Sequence, residues 1–383
     1  MNGPQPSATA FADTKPHYEL LDGLRGVAAL TVICFHLFES FATSHIDQRI
    51  NHGYLAVDFF FILSGFVIGY AYDDRWGRGL SLGGFLKRRL IRLHPMVVFG
   101  AIVGAAVCTI PDFAVEGYGN WSLPPPGMLL LAVTMNALMI PMTPGFEFRG
   151  FAEMYPLNGP TWSLFFEYIG NLLYALFLRR LPTMLFTLWV GVCALGLLIF
   201  ATDKGDICFG FSLDAANFTG GMLRLLFAFS AGLLLSRIFH ASGHEPLRGA
   251  FWWCSAAVVA LLTMPRIGGE EQQWQNGIYD TLCAVALFPV IVWIAAAGKT
   301  TDRFTARICK FLGDISYPVY IVHYPFIYIY LAWVRKNDLT FAGSLPGAAA
   351  VVAGSVALAY LALKLYDEPV RRRLSRLFLP TKR

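Results

Sequence analysis

The sequence predicts an all-α fold: a polytopic membrane helical bundle with ten transmembrane helices and both termini in the cytoplasm. Composition points there first. Of 383 residues, 56% are hydrophobic and 14% charged, against about 25% charged in a soluble domain, and the mean hydropathy is +0.53. The second observation is a series of apolar runs, most of them near the roughly 20 residues that cross a bilayer as helix. The third is the placement of lysine and arginine, which separates one set of loops from the other.

In order, the spans fall at about 21–41, 53–71, 86–110, 160–178, 182–201, 217–236, 250–264, 277–297, 311–334 and 343–365. Residues 127–141 are apolar too, but they are few and follow Pro124, Pro125 and Pro126. So short a run reads as re-entrant or interfacial. Charge tests that choice. With ten spans and an internal N-terminus, cytoplasmic segments hold 19 Lys and Arg; external loops hold six, namely Arg49, Arg149, Lys204, Arg266, Arg335 and Lys336. This is the positive-inside pattern, and a span at 127–141 would invert every later loop and erase it. The chain then reads as one membrane-embedded domain over 1–383, with a polar cytoplasmic tail (1–19), a Pro-, Gly- and aromatic-rich external loop (111–159) and a basic cytoplasmic tail (366–383). Residues 1–19 lack the apolar core of a signal peptide, so the first span is expected to stay. The external loop is long enough to roof a cavity. The seven cysteines show no spacing of a zinc site or disulfide framework. The net charge of +5 comes from basic loops, with no nucleic-acid motif beside it.

The first span, LLDGLRGVAALTVICFHLFES, carries Arg25 and His36. Eleven residues is close to three helical turns, so both share one face, about 16 Å apart. Ionisable groups inside a span are costly and mark functional interiors or water-filled paths. His36 falls in the outer half, and by depth so do Asp58 of the second span, Glu167 of the fourth and Arg224 of the sixth. A histidine oriented by a carboxylate is the arrangement that activates a hydroxyl, so Asp58 or Glu167 is expected to orient His36. Glu39 is another possible partner, or a solvated residue at the external end. Against this, a lone histidine is more often a packed one, Asp58 can pair structurally, and Arg224 reads better as a counter-ion than as a catalyst.

On the cytoplasmic side, FLKRRLIRLHP opens the third span. Arg89 and Arg92 are i, i+3 and share a face, with Arg25 at similar depth. The planar guanidinium fork suits phosphate. Basic residues at a cytoplasmic helix end also act as topology anchors, which is reading enough for Lys87 and Arg88; Arg92 lies deeper. Pro95 is expected to kink the helix just beyond. In the ninth span, Tyr317, Tyr320, Tyr324 and Tyr328 follow helical spacing around His323, a pattern of core packing with bonded hydroxyls. Glu368, in the closing YDEPVRRRL, is expected to pair structurally with a cytoplasmic arginine.

LDGLRGVAALTVICFH, GYLAVDFFFILSG, the Arg-x-x-Arg of Arg89 and Arg92, NGPTWSLFFE, GDISYPVYIVHYPF and the terminal Glu-Pro-x-Arg (Glu368, Pro369, Arg371) together resemble the acyltransferase-3 family of integral-membrane O-acyltransferases of extracellular polysaccharides. Each piece is weakly specific; in order along nearly the whole chain they are strongly so. The resemblance implies a ten-span acyltransferase of the plasma (inner) membrane, using acyl-CoA, by default acetyl-CoA, as donor and no metal. Its partners would be a glycan or glycoconjugate acceptor and membrane lipid, with no nucleic acid. It implies donor-binding roles for Arg25, Arg89 and Arg92. His36 becomes the catalytic base or acyl carrier, with Glu167 and Asp58 as further catalytic candidates. Many such proteins carry an added soluble hydrolase-like domain; none is expected here. Two rival readings stay in view. A secondary transporter would use the buried Asp, Glu, His and Arg as an ion relay, although no inverted repeat is visible. A lipid-linked sugar or phosphoryl transferase would need acidic pairs in loops to hold a metal.

Overall fold

The computed structural model describes residues 18–44, 46–110, 124–239, 248–300 and 302–379. Most of the N-terminal tail, residues 111–123 of the loop expected to be external and the last four residues of the basic tail lie outside the described residues. Among the described residues the chain is helical, without strands. The helices are α1 (Glu19–Glu39), α2 (Ala56–Trp76), α3 (Leu82–Cys108), α4 (Pro126–Ala137), α5 (Thr161–Leu176), α6 (Thr183–Lys204), α7 (Ala215–Phe239), α8 (Ala250–Thr263), α9 (Trp274–Leu282), α10 (Phe288–Ala297), α11 (Arg303–Lys336), α12 (Phe341–Ala362) and α13 (Glu368–Phe378). A π-helical turn joins α9 to α10 (Cys283–Leu287) and another joins α12 to α13 (Leu363–Asp367).

Among the described residues, seven stretches are long and apolar enough to cross a membrane: Glu19–Glu39, Gly53–Trp76, Leu82–Cys108, Thr183–Lys204, Ala215–Phe239, Trp274–Ala297 and Phe341–Phe378. The other three expected spans are helical but fall short of that measure. α5 and α8 have 16 and 14 residues. α11 is long, at 34 residues, but its charged ends and tyrosine-rich middle dilute its apolar character. α4 has 12 residues, about 18 Å of helix against roughly 30 Å of hydrocarbon.

Local chemistry sets the helix ends. Glu19 and Asp22 put negative charge in the first turn of α1, where the helix dipole favours it. Ser81 caps α3 by accepting from the Gly84 N–H at 3.1 Å, and Asp302 caps α11 by accepting from the Thr305 N–H at 2.7 Å. α3 runs on through Pro95 as one helix of 27 residues.

Two helix pairs form the centre. α1 packs along α11, and α2 along α7. Without a solvent to drive helices together, close packing at small residues does so. A Cβ at Gly26 would sit 2.4 Å from the Leu312 carbonyl oxygen, and one at Gly232 would sit 2.0 Å from that of Ile62. After α4 the chain turns at Met139, with φ of 57°, and folds back into the bundle. Met154, Tyr155 and Leu157 are fully buried, and the Asn158 side-chain amide donates to the Ile321 carbonyl at 2.7 Å. This returning strip places Glu153 beside α1 and α11.

Candidate functional site

Two cavities open along one side of α1. The outer one, of about 340 Å³, is lined by His36 and Glu39 of α1, Tyr54, Glu153, Trp162 and Tyr324 among others. Thr43 and Ser44, exposed just after α1, stand at its rim, and Gln48, Phe151 and Glu153 line it further in. His36 sits in the last turn of α1. Its Nδ1 lies 2.9 Å from Oε2 of Glu39. A carboxylate only accepts, so Nδ1–H donates, and Nε2 is left as the ring's acceptor. Nε2 makes no hydrogen bond among the described residues. The His36 ring stacks on His323, centroids 5.5 Å apart, and meets the edge of Tyr324 at 4.7 Å. His323 is itself fixed: Nδ1–H is shared between the carbonyls of Val319 and Tyr320, at 3.1 and 2.9 Å. Glu153 is buried and accepts from the Tyr328 hydroxyl. Burial pushes its carboxyl up to about 8, with the Tyr328 hydroxyl and Arg149 working the other way.

The inner cavity, of about 450 Å³, holds Arg25, Arg89, Arg92 and Arg371 together with Glu167 and Tyr317. Three of the guanidiniums have carboxylates. Arg25 bonds Asp22 at 2.8 Å and, through Nε, the Ser316 hydroxyl at 2.8 Å. Arg89 bonds Glu167 at 2.9 Å, and Arg371 bonds Asp367 at 2.8 Å. Arg92 makes no hydrogen bond or ion pair among the described residues, and its side chain is exposed into the cavity. The excess positive charge therefore rests on Arg92, flanked by three further cations whose geometry is already set. That arrangement recognises a polyanion such as a phosphate.

The structure brings His36 and Arg25 to one face, as their spacing predicts, and gathers Arg25, Arg89 and Arg92 in one cavity. It places the two candidate orienting carboxylates elsewhere. Asp58 is fully buried and faces α7, where both its oxygens accept from Arg224, at 2.7 to 3.2 Å. Arg224 also donates to the carbonyls of Tyr54 and Phe209, at 2.7 and 2.8 Å. Asp58 is thus taken up by Arg224, and Arg224 itself lines the outer cavity. Glu167 lies in the inner cavity, where it also accepts from the Ser64 hydroxyl at 2.7 Å. α5 is short, so two turns from its outer end is already near its middle, and Glu167 meets Arg89 instead of His36. The residue that does hold His36 is Glu39.

Arg371 is a cavity residue that sequence reasoning left as structural, although the terminal Glu-Pro-x-Arg spacing pointed at it. Glu368, expected to pair with an arginine, does so with Arg372 at 3.1 Å and also bonds Lys364. His94 meets the Tyr168 hydroxyl at 3.3 Å and lines neither cavity. Lys87 and Arg88 line a separate recess with Arg75 and Arg78. Tyr317 donates to the Leu93 carbonyl at 2.6 Å, and Tyr320, Tyr324 and Tyr328 face the outer cavity, so the tyrosine stripe is cavity wall as well as packing.

Comparison with known proteins gives a family match and several relatives. The acyltransferase domain family matches residues 18–364. Protein 2 in the picA locus of Rhizobium radiobacter is 34% identical over 48% of this chain and 94% of its own length. Acyltransferase MdmB of Streptomyces mycarofaciens is 25% identical over 93% of this chain and 92% of its own. O-acetyltransferase OatA of Staphylococcus aureus is 24% identical over 95% of this chain, which spans 59% of that protein. No solved structure matches the chain.

Proposed function

Because the chain belongs to the acyltransferase-3 family, and so is a multi-pass membrane acyltransferase, we propose that it moves an acetyl group from cytosolic acetyl-CoA to a hydroxyl of a glycan beyond the plasma membrane. The observation that carries this reading is the pair of cavities on one face of α1: an arginine cavity around Arg25 and Arg92, and a histidine cavity around His36. The positive-inside count of ten spans supports the orientation, with the arginine cavity toward the cytoplasm and both termini inside.

In this mechanism Arg92, with Arg25, Arg89 and Arg371, binds the donor's phosphates. The thioester end reaches along α1 to His36, and the acceptor enters by the outer rim. Glu39 holds the imidazole so that Nε2 faces the reactants. Nε2 takes the acceptor's proton as the new carbon–oxygen bond forms and the carbon–sulfur bond breaks. The proton then goes to the departing thiolate, releasing free CoA. A positioned base of this kind is worth roughly 10²–10⁴-fold in rate.

The test is transfer of labelled acetyl from acetyl-CoA by purified protein, to glycan or to water. His36→Ala should lower turnover by at least a hundredfold while leaving CoA binding and thermal stability close to wild type. A folded His36→Ala variant that keeps more than a tenth of wild-type turnover would move the base elsewhere, with His323 the nearest alternative.

A further inference from the structure

The outer and inner cavities adjoin each other. Two side chains, Val57 of α2 and Tyr320 of α11, line both of them and so stand at the boundary. Each is buried, at 6% exposure. Tyr320 is held from three sides. Its hydroxyl lies 2.8 Å from the Ser163 hydroxyl and 3.3 Å from the Pro160 carbonyl, and its ring meets the edge of Phe60 at 5.4 Å. Val57 is β-branched and stiff at χ1, and it projects from a helix locked against α7 at Gly65 and Gly232. The boundary is therefore preorganised.

We propose, building on the acetyl-CoA reading above, that Val57 and Tyr320 form the aperture through which the thioester end of the donor reaches His36, and that this aperture sets the size of acyl group transferred. The chemistry of the boundary fits that role. Val57, Phe60 and the Tyr320 ring present an apolar constriction with no charged side chain, which a thin, uncharged thioester arm can cross. Phosphates cannot, since burying an ionised group without partners is costly, so they stay with Arg92. A constriction lined by a branched side chain also discriminates by volume. One methylene in a fitted apolar pocket changes relative rates by roughly 10- to 200-fold.

The experiment compares acetyl-, butyryl- and hexanoyl-CoA as donors for wild type, Val57→Ala, Tyr320→Phe and Val57→Trp, with CoA affinity and thermal unfolding measured on each. Val57→Ala widens the aperture and should raise the butyryl-to-acetyl ratio of kcat/KM about tenfold or more. Tyr320→Phe frees the ring without shrinking it and should shift the ratio the same way but less. Val57→Trp should cut transfer from every donor at least a hundredfold while CoA affinity stays within threefold. An unchanged chain-length profile in folded Val57→Ala and Tyr320→Phe overturns the aperture, as does wild-type turnover in Val57→Trp. A wild type that transfers from no acyl-CoA at all overturns the donor reading and the aperture with it; a wild type that transfers while the profile stays fixed removes the aperture alone.

Discussion

Arg92 has only one kind of partner left to it. Its three neighbouring guanidiniums are neutralised by Asp22, Glu167 and Asp367. A charge-assisted hydrogen bond to an anion is worth about 1.5–3 kcal/mol, so Arg92→Ala should weaken CoA binding by roughly tenfold or more. Arg92→Lys should recover only part of that if the contact is bidentate. Titration calorimetry of CoA against the purified variants reads both, and unchanged affinity in Arg92→Ala would return this residue to the role of a topology anchor. Glu153 makes a different prediction. Burial keeps it protonated to about pH 8, while the ordinary value is 4.5. Between those values the folded chain holds a proton that the unfolded chain has released, so stability falls as pH rises through the window and levels off above it. Glu153→Gln should flatten that fall. Unfolding midpoints at pH 5 and pH 8.5 in detergent test it, and equal losses in wild type and variant would assign the titration to another group. These residues also mark what one sequence discloses. Arg25 and His36 were legible because eleven residues of helix fix their relative direction. The partners of His36 were not. Distance from a span's end gives height in the membrane, but not the neighbour a side chain faces, and so the sequence puts Asp58 and Glu167 ahead of Glu39, the partner His36 has.

Among the helices, close approach does the work that burial from water does elsewhere. A Cβ added at Gly232 would lie 2.0 Å from the Ile62 carbonyl oxygen, a contact that only movement of α2 from α7 relieves. Overpacking of this kind costs roughly 1–3 kcal/mol. Gly232→Ala should therefore lower the unfolding midpoint by several degrees. Gly354→Ala in α12, where an added Cβ meets nothing within 4 Å, should not lower it. Equal effects of the two would show that the α2–α7 contact is looser than its geometry. The π-helical turn at Leu363–Asp367 carries helix on into α13 (Glu368–Phe378), whereas a hydropathy pattern ends the last span at 365 and reads 366–383 as a basic tail, which gives no direction to Arg371.

For the molecule as a whole, the run of apolar segments was readable throughout, since every expected span is helical. The lengths of the short spans were readable too: α5 (Thr161–Leu176) and α8 (Ala250–Thr263) end within two residues of the runs at 160–178 and 250–264. α11 was not, since it begins eight residues before the apolar run at 311–334, at the Asp302 cap, a feature that a hydropathy pattern passes over. Orientation has a direct test. Asp203, at the exposed end of α6, lies on the external side if the N-terminus is cytoplasmic. Asp203→Cys, in a background with the native cysteines replaced, should react with an impermeant maleimide added outside intact cells; labelling only after permeabilisation would overturn the ten-span orientation. One further consequence follows from α1 being a single unbroken helix between Arg25 and His36. It is a gauge. A donor gripped at one mark and consumed at the other must bridge about 16 Å, so acetyl phosphate, with its acyl carbon one oxygen from phosphorus, is too short to serve however well its phosphate is held. The gauge also has a direction. One residue inserted between the marks swings the imidazole about 100° off the cavity, whereas seven bring it nearly back into line and call for a donor about 10 Å longer.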